Sequence, residues 1–199
     1  MPDRHPYRVT SRRGALSVIW QAGEGDDLDT LAVDERGRLL AFHTVGTLGA
    51  YGADRGWDLA AESGQDGPAS LDLDAVRTWL EGSRDRPAPT GLLLEAWNFF
   101  EDLARSVVAD RPLPPRGAVH DGAYEKLFGT GGAEAWTDAE AAAASGLLRA
   151  GLDLWEDAVR GALTPDAFPL SRPPAAPAPP RGPRTSGRRP GRDGGASSR

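Results

Sequence analysis

Cysteine is absent from this chain of 199 residues, and histidine occurs only three times. Without thiols there can be no disulfide, no thiolate nucleophile, and no cysteine-ligated zinc or iron–sulfur site. The histidines form no His-Glu-x-x-His sequence and no pair with metal-ligand spacing. No serine lies in a Gly-x-Ser-x-Gly elbow. We therefore expect no metal or other cofactor, and we assign no catalytic residue from the sequence.

Long hydrophobic runs are also missing. No apolar stretch approaches the length of about 18–20 residues that a membrane-spanning helix requires. The chain begins Met-Pro-Asp-Arg-His-Pro-Tyr, which lacks the apolar segment of a secretion signal. Together with the absence of disulfides, this pattern predicts a cytoplasmic protein with no membrane partner.

Lysine is nearly absent, and the charges are unevenly distributed. Lys126 is the one lysine, so almost every basic residue is arginine. Ser171–Arg199 holds seven Arg and one Asp, a charge of +6. Subtracting these from the 23 basic and 29 acidic residues of the chain leaves 16 and 28 in Met1–Leu170, a charge of −12. An acidic surface attracts cationic partners and repels nucleic acid. A cationic protein partner is therefore expected, and nucleic acid only through the basic segment.

Composition also divides the chain into a body and a tail. The segment 171–199 contains seven Pro and five Gly besides its arginines, and it has no large apolar residue. Such a segment cannot bury a core, so we predict a disordered, basic tail. Residues 1–170 are predicted to form a single globular domain, since this length suffices for one hydrophobic core.

The central element of the body is predicted to be a helix over Thr90–Asp110. Leu93, Trp97 and Phe100 recur at steps of four and three residues, which is the spacing of a buried helical face. Thr90 is expected to cap the first turn through its hydroxyl. The opposite face is predicted to contact solvent and holds Glu95, Asn98, Asp102 and Arg105.

Strands are expected before this helix, at Tyr7–Thr10 and Leu16–Gln21, because β-branched and aromatic residues are frequent there. A hairpin of Leu31–Val33 and Leu39–Phe42 is expected to turn at Gly37. Trp57–Leu59 is a further strand candidate. These elements predict an α+β fold, in which a small, mainly antiparallel sheet of three to five strands from the N-terminal third packs against about three principal helices.

The remaining helices are predicted from capping and stop residues. They are a short helix Thr47–Arg55 after Thr44, a helix between Asp72 and Gly82, and a last helix Asp138–Leu163 opened by a capping box of Thr137 and Glu140. Between the central and the last helix, Arg111–Ala135 is expected to be irregular. One helical turn is predicted inside it, at Tyr124–Phe128.

The acidic loop, Gly23–Asp29, is the main candidate for a binding site. Its four acids are Glu24, Asp26, Asp27 and Asp29. They lack the alternating ligands and the glycine of a calcium-binding loop. A loop of this kind can present several carboxylates to the Arg and Lys residues of a partner. The alternative is that the loop only keeps the protein soluble.

Three further residues are candidates for a site. His120 and Asp121 are adjacent and could form half of a metal or acid–base site, and His43 follows a predicted strand. The alternative for His120 and Asp121 is a surface or capping role. The alternative for His43 is a half-buried imidazole with satisfied hydrogen bonds. No third ligand or nucleophile in the sequence distinguishes these possibilities.

Three stretches carry a resemblance to known proteins. They are the Trp-Asn helix within Gly91–Val107, the Tyr-Glu-Lys-Leu-Phe-Gly segment Tyr124–Gly129, and Trp136–Glu140 with the helix that follows. Together they resemble a group of small uncharacterised actinobacterial proteins, for which no activity can be carried over. In general type the chain also resembles immunity proteins of polymorphic toxin systems, which are small, acidic, cytosolic and without catalytic motifs.

These observations favour a non-enzymatic, acidic protein-binding module over other functions. Its specific form would be an immunity-type inhibitor of a cationic toxin. One alternative is an enzyme or accessory protein whose chemistry the sequence does not display. Another is a nucleic-acid-associated protein that binds through the basic tail.

Overall fold

The centre of the sheet is formed by β1 (Arg4–Ser11) and β2 (Gly14–Gln21). The computed structural model of the protein describes residues 3–59, 69–82, 89–109, 112–129 and 131–162. The two strands are antiparallel along their whole length. A positive φ of 96° at Gly14 closes the turn between them. Both predicted strands are confirmed, and both are longer than expected.

An interrupted edge strand runs along the outer side of β2. β3 (Thr30–Leu31) pairs with its C-terminal end and β4 (Ala41–Phe42) with its middle, both in antiparallel register. Between them the chain leaves the sheet and returns through a turn at Gly37, whose φ is 71°. An antiparallel bridge joins the arms of this excursion. The predicted hairpin is therefore present, but its outer arms pair with β2.

The other edge of the sheet is β5 (Ser70–Asp72), which pairs with β1 in parallel register. This strand is not predicted from the sequence, because Leu71 is its one buried residue and Asp72 also caps the next helix. Trp57–Leu59 contributes a single parallel bridge between Leu59 and Arg4. The result is a five-stranded, mainly antiparallel mixed sheet, so the predicted α+β class is confirmed.

One face of the sheet is covered by α1 (Val45–Asp54), which begins two residues before the predicted start. The hydroxyl of Thr44 caps it by accepting a hydrogen bond from the amide of Thr47 at 3.1 Å. Beneath this helix a small core is fully buried and consists of Ile19, Ala32, Leu40, Phe42 and Leu48.

The opposite face carries the main core, since neighbouring side chains of β2 point to opposite sides of the sheet. Val18 is buried there with Trp97, Phe100 and Trp155. The covering helices are α2 (Leu73–Glu81), α3 (Thr90–Ser106), α4 (Ala118–Phe128) and α5 (Asp138–Gly161). The capping of α2 by Asp72 and the capping box of α5 are confirmed.

The prediction of a single helical turn at Tyr124–Phe128 is wrong, because α4 is a helix of eleven residues. Its pattern is hard to recognise because only Ala123 and Leu127 are buried on it. The described residues thus contain five α-helices, where about three principal ones are predicted. Residues 163–199 lie outside the described residues, and so do the predicted tail and the predicted end of α5.

Both ends of α3 also differ from the prediction. Pro89 occupies the capping position, and Thr90 is the first helical residue instead of the cap. The helix ends at Ser106, four residues before the predicted end. The amide of Val108 donates a hydrogen bond to the carbonyl oxygen of Gly37 at 3.2 Å. The backbone after α3 is therefore paired with the turn between β3 and β4, and it does not continue into another helical turn.

Candidate functional site

A buried carboxylate on α3 connects the helix to the sheet. Asp102, which is predicted to face solvent, is only 8% exposed. It accepts a hydrogen bond from Nε1 of Trp20 on β2 at 3.1 Å. It also forms an ion pair with the guanidinium group of Arg105. The prediction for Asp102 is therefore wrong, because α3 packs against the sheet along this side.

Glu95 lies about two helical turns before Asp102 on α3 and is also turned towards the sheet. It accepts a hydrogen bond from the hydroxyl of Tyr7 at 2.7 Å. The ring of Tyr7 stacks on Phe99, with 5.7 Å between the ring centroids. Burial of the phenol, reinforced by the neighbouring Glu95 carboxylate, raises the pKa of Tyr7. Tyr7 therefore stays protonated and serves as a hydrogen-bond donor between sheet and helix.

Glu101 organises the opposite side of α3. It accepts a hydrogen bond from Nε1 of Trp97 at 2.9 Å. Arg116, which precedes α4, donates to both carboxylate oxygens of Glu101 at 3.2 and 3.3 Å. The same guanidinium group lies 2.9 Å from the carboxylate of Asp121. Arg116 thereby links the connection before α4 to α3 and to α4 itself.

An open groove lies beside this ion-pair network. Its volume is about 420 Å³, and four segments contribute to it: the acidic loop, α3, the connection before α4, and α5. Its apolar lining consists of Leu28, Ala104, Leu113, Pro114 and Leu147. Its charged lining consists of Glu101, Arg105 and Arg116. We call this surface the α3 groove.

The acidic loop forms one wall of the α3 groove through Leu28. This leucine is 64% exposed, which makes it one of four large apolar residues among the described ones that face solvent. Glu24, Asp26 and Asp27 are exposed on the same loop. Three carboxylates and an exposed aliphatic side chain therefore occupy four of five consecutive positions, from residue 24 to residue 28.

The acidic loop has a defined shape. The Asp29 carboxylate accepts a hydrogen bond from the amide of Gly23 at 2.9 Å, and the amide of Asp27 donates to the carbonyl oxygen of Glu24 at 3.2 Å. A Cβ atom on Gly23 would overlap the carbonyl oxygen of Asp27, so the loop closes tightly on itself. Asp29 thus closes the loop, while the other three acids are presented outwards.

Arg105 attaches the acidic loop to α3. Its Nε atom donates to the carbonyl oxygen of Asp29 at 3.3 Å, while its guanidinium group pairs with Asp102. Next to it, the hydroxyl of Ser106 accepts a hydrogen bond from the amide of Leu31 at 2.7 Å. The loop is therefore held at its C-terminal end by two consecutive residues of the helix.

The histidine candidates, His120 and His43, are not among the residues that line the α3 groove. The ring of His120 lies edge-on to Trp97 at 6.4 Å, and Asp121 pairs with Arg116. His43 is exposed directly after β4. Within the described ranges, no group of three His, Asp or Glu side chains is arranged to hold a metal ion. The structure thus places His120 and Asp121 in packing and ion-pair contacts of α4.

Asp102 makes stability depend on pH in a predictable direction. Burial raises the pKa of this carboxyl to about 6, against the attraction of Arg105 and the hydrogen bond from Trp20, while Asp29 and Glu101 add to the rise. The folded state therefore holds the proton more tightly than the unfolded state does. The stabilisation from this proton is complete below about pH 4 and is lost as the pH rises to about 6.

Asp102→Asn removes this titration. The free energy of unfolding of the variant, relative to the wild type, should rise between about pH 4 and pH 6 by at most about 1.4 kcal/mol per pH unit, and then stay constant. Urea unfolding at a series of pH values measures both proteins. Parallel curves over this range would contradict the raised pKa.

Asp102 has the raised pKa that is common among functional carboxylates. Its side chain is covered by Trp20 and Arg105, and Asp102 itself is not part of the lining of the α3 groove. It is therefore placed to hold Arg105 in position and not to act on a bound molecule.

Comparison with known proteins identifies no relative: no family model, no curated protein and no solved structure matches this chain significantly. Among the helices of the described segments, none combines the length and the apolar character needed to cross a membrane.

The acidic loop is recognisable in the sequence, but the α3 groove is not. The groove unites residues up to 119 positions apart, Leu28 and Leu147, and no periodic pattern joins them. Leu28 is one local signal of the groove in the sequence, because it is a large apolar residue among four acids and belongs to no predicted helix or strand.

Proposed function

We propose that this protein is a non-enzymatic binding module that captures a cationic protein through the acidic loop. The observation that carries the proposal is the outward presentation of Glu24, Asp26 and Asp27 on a loop that is closed by Asp29 and held by Arg105. A loop that is already ordered loses less conformational entropy on binding than a flexible one. Its carboxylates can accept charge-assisted hydrogen bonds from Arg and Lys.

The overall charge supports the same proposal. Met1–Leu170 carries a charge of −12, so a cationic partner experiences attraction before contact. Such attraction accelerates association, and the acceleration decreases steeply with ionic strength. In its specific form, the module inhibits a basic toxin whose substrate is itself an anion. The acidic loop would then compete with the anionic substrate for the basic surface of the toxin.

The test begins with affinity capture of the partner from cells that contain the protein, followed by kinetics. A triple variant of Glu24→Gln, Asp26→Asn and Asp27→Asn should reduce the association rate constant several-fold at low salt and match the wild type at high salt. Stopped-flow or surface-plasmon-resonance measurements at several salt concentrations give these rates.

A matched control separates the acidic loop from the net charge. Glu125→Gln, Glu134→Gln and Asp153→Asn remove the same number of charges from exposed positions outside the loop. This control should slow association much less than the loop variant does. Equal slowing by both variants would show that only net charge matters, and an acidic partner would contradict the proposal altogether.

A further inference from the structure

Leu28 belongs both to the α3 groove and to the acidic loop, where the exposed acids Asp26 and Asp27 directly precede it in the chain. The apolar lining and the exposed acids therefore form one continuous surface of mixed chemistry. Exposed apolar surface next to a polar rim is the arrangement found at protein interfaces, where apolar anchors lie at the centre and charges at the edge.

The charged lining does not oppose a cationic occupant. Arg116 is neutralised by Glu101 and Asp121, and Arg105 by Asp102. The acidic loop adds negative charge beside the groove, and its Asp26 and Asp27 are exposed. Charge complementarity therefore favours an occupant that places apolar groups in the groove and positive groups over the loop.

The shape of the α3 groove favours a protein segment over a small molecule. Its volume of about 420 Å³ lies within the range of about 300–1,000 Å³ for ligand clefts. It is open towards solvent, however, whereas small ligands usually have most of their surface enclosed. A polypeptide segment can cover an open groove while its neighbouring residues contact the rim.

We infer that the α3 groove binds a segment of the cationic partner in which aliphatic side chains alternate with Arg or Lys. This inference rests on the proposed function and assigns the apolar part of the same interface. The aliphatic side chains contact Leu28, Ala104 and Leu147, while the basic residues reach the acidic loop. Apolar contact and charge are thus both predicted to contribute to the affinity.

Two synthetic peptides can test this with the full-length protein. One alternates Arg with Leu, and the other has Ser in place of every Leu and the same charge. In fluorescence anisotropy, the Leu peptide should bind about tenfold more tightly than the Ser peptide, the order expected from burial of one aliphatic side chain. Equal affinities for the two peptides, or no binding of either, would overturn the inference.

Leu28→Ser should remove most of the preference for the Leu peptide and leave the affinity for the Ser peptide unchanged. Leu28 is exposed, so this substitution should not affect folding, which a thermal melt can confirm. The matched control is Phe128→Ser, which removes an exposed aromatic side chain at the end of α4, outside the groove. Loss of the preference in the control but not in Leu28→Ser would place the apolar site elsewhere and overturn the inference.

The triple variant of the acidic loop separates this inference from the proposed function. Weaker binding of both peptides to that variant, with no preference for Leu in the wild type, would contradict the groove and retain the acidic loop. A preference for Leu that depends on Leu28 but not on the loop acids would contradict the proposed role of the loop and retain the groove as an apolar site.

Discussion

Trp97→Ala is expected to lower the free energy of unfolding by about 3–5 kcal/mol, the range for deleting a large buried aromatic side chain. Trp97 is fully buried on α3, and its ring meets Tyr124 edge-to-face at 5.7 Å between centroids. Its removal would leave a cavity where α3 contacts α4. Since whole domains are stable by about 5–15 kcal/mol, the loss is a large fraction of the total.

Urea unfolding monitored by circular dichroism measures this effect. The control is Trp97→Phe, which keeps most of the apolar contact but removes the hydrogen bond from Nε1 to Glu101. This bond is expected to contribute about 1 kcal/mol, because Glu101 remains paired with Arg116. An alanine variant with unaltered stability would be incompatible with a buried Trp97.

Gly151→Ala is expected to destabilise the protein although alanine is the better helix former. Gly151 is buried on α5, where an added Cβ would overlap ring carbons of Phe100 on α3. Phe100 is itself fully buried, so its ring cannot avoid the overlap by moving into solvent. Overpacking of this kind typically costs about 1–3 kcal/mol, and because the overlap is with a buried ring we expect a cost above the gain of about 1 kcal/mol in helix propensity.

The same helix provides the control. Gly146 is exposed on α5, and no atom of the described residues lies within 4 Å of a Cβ added there. Gly146→Ala should therefore raise the free energy of unfolding by up to about 1 kcal/mol. Since both substitutions gain the same propensity, the difference between the two variants isolates the contact of α5 with α3. Stabilisation of both would mean that the two helices are not in close contact at Gly151.

The acidic loop illustrates how much of the candidate site local sequence reveals. Four acids within six positions identify a charged loop. The sequence does not reveal that Asp29 closes the loop or that Arg105 holds it, since Arg105 lies 76 positions away. The α3 groove is harder still to predict from the sequence, because its four segments become neighbours only in the folded protein.

Local patterns by themselves determined the strands β1 and β2, the caps of α1, α2 and α5, and the apolar stripe of α3. These features depend on neighbours within about four positions, because strand alternation and helix capping are short-range effects. The α+β class follows from their order along the chain.

Tertiary structure alone decided which polar side chains are buried. The periodicity of α3 places Asp102 opposite its apolar stripe, yet the sheet covers that side and supplies Trp20 as a donor. It also decided that β5 pairs with β1, since three residues with one buried side chain carry too little pattern to define a strand. The physical reason is the same in both cases: burial and hydrogen bonding depend on partners that are distant along the chain and become neighbours only when the helices pack on the sheet.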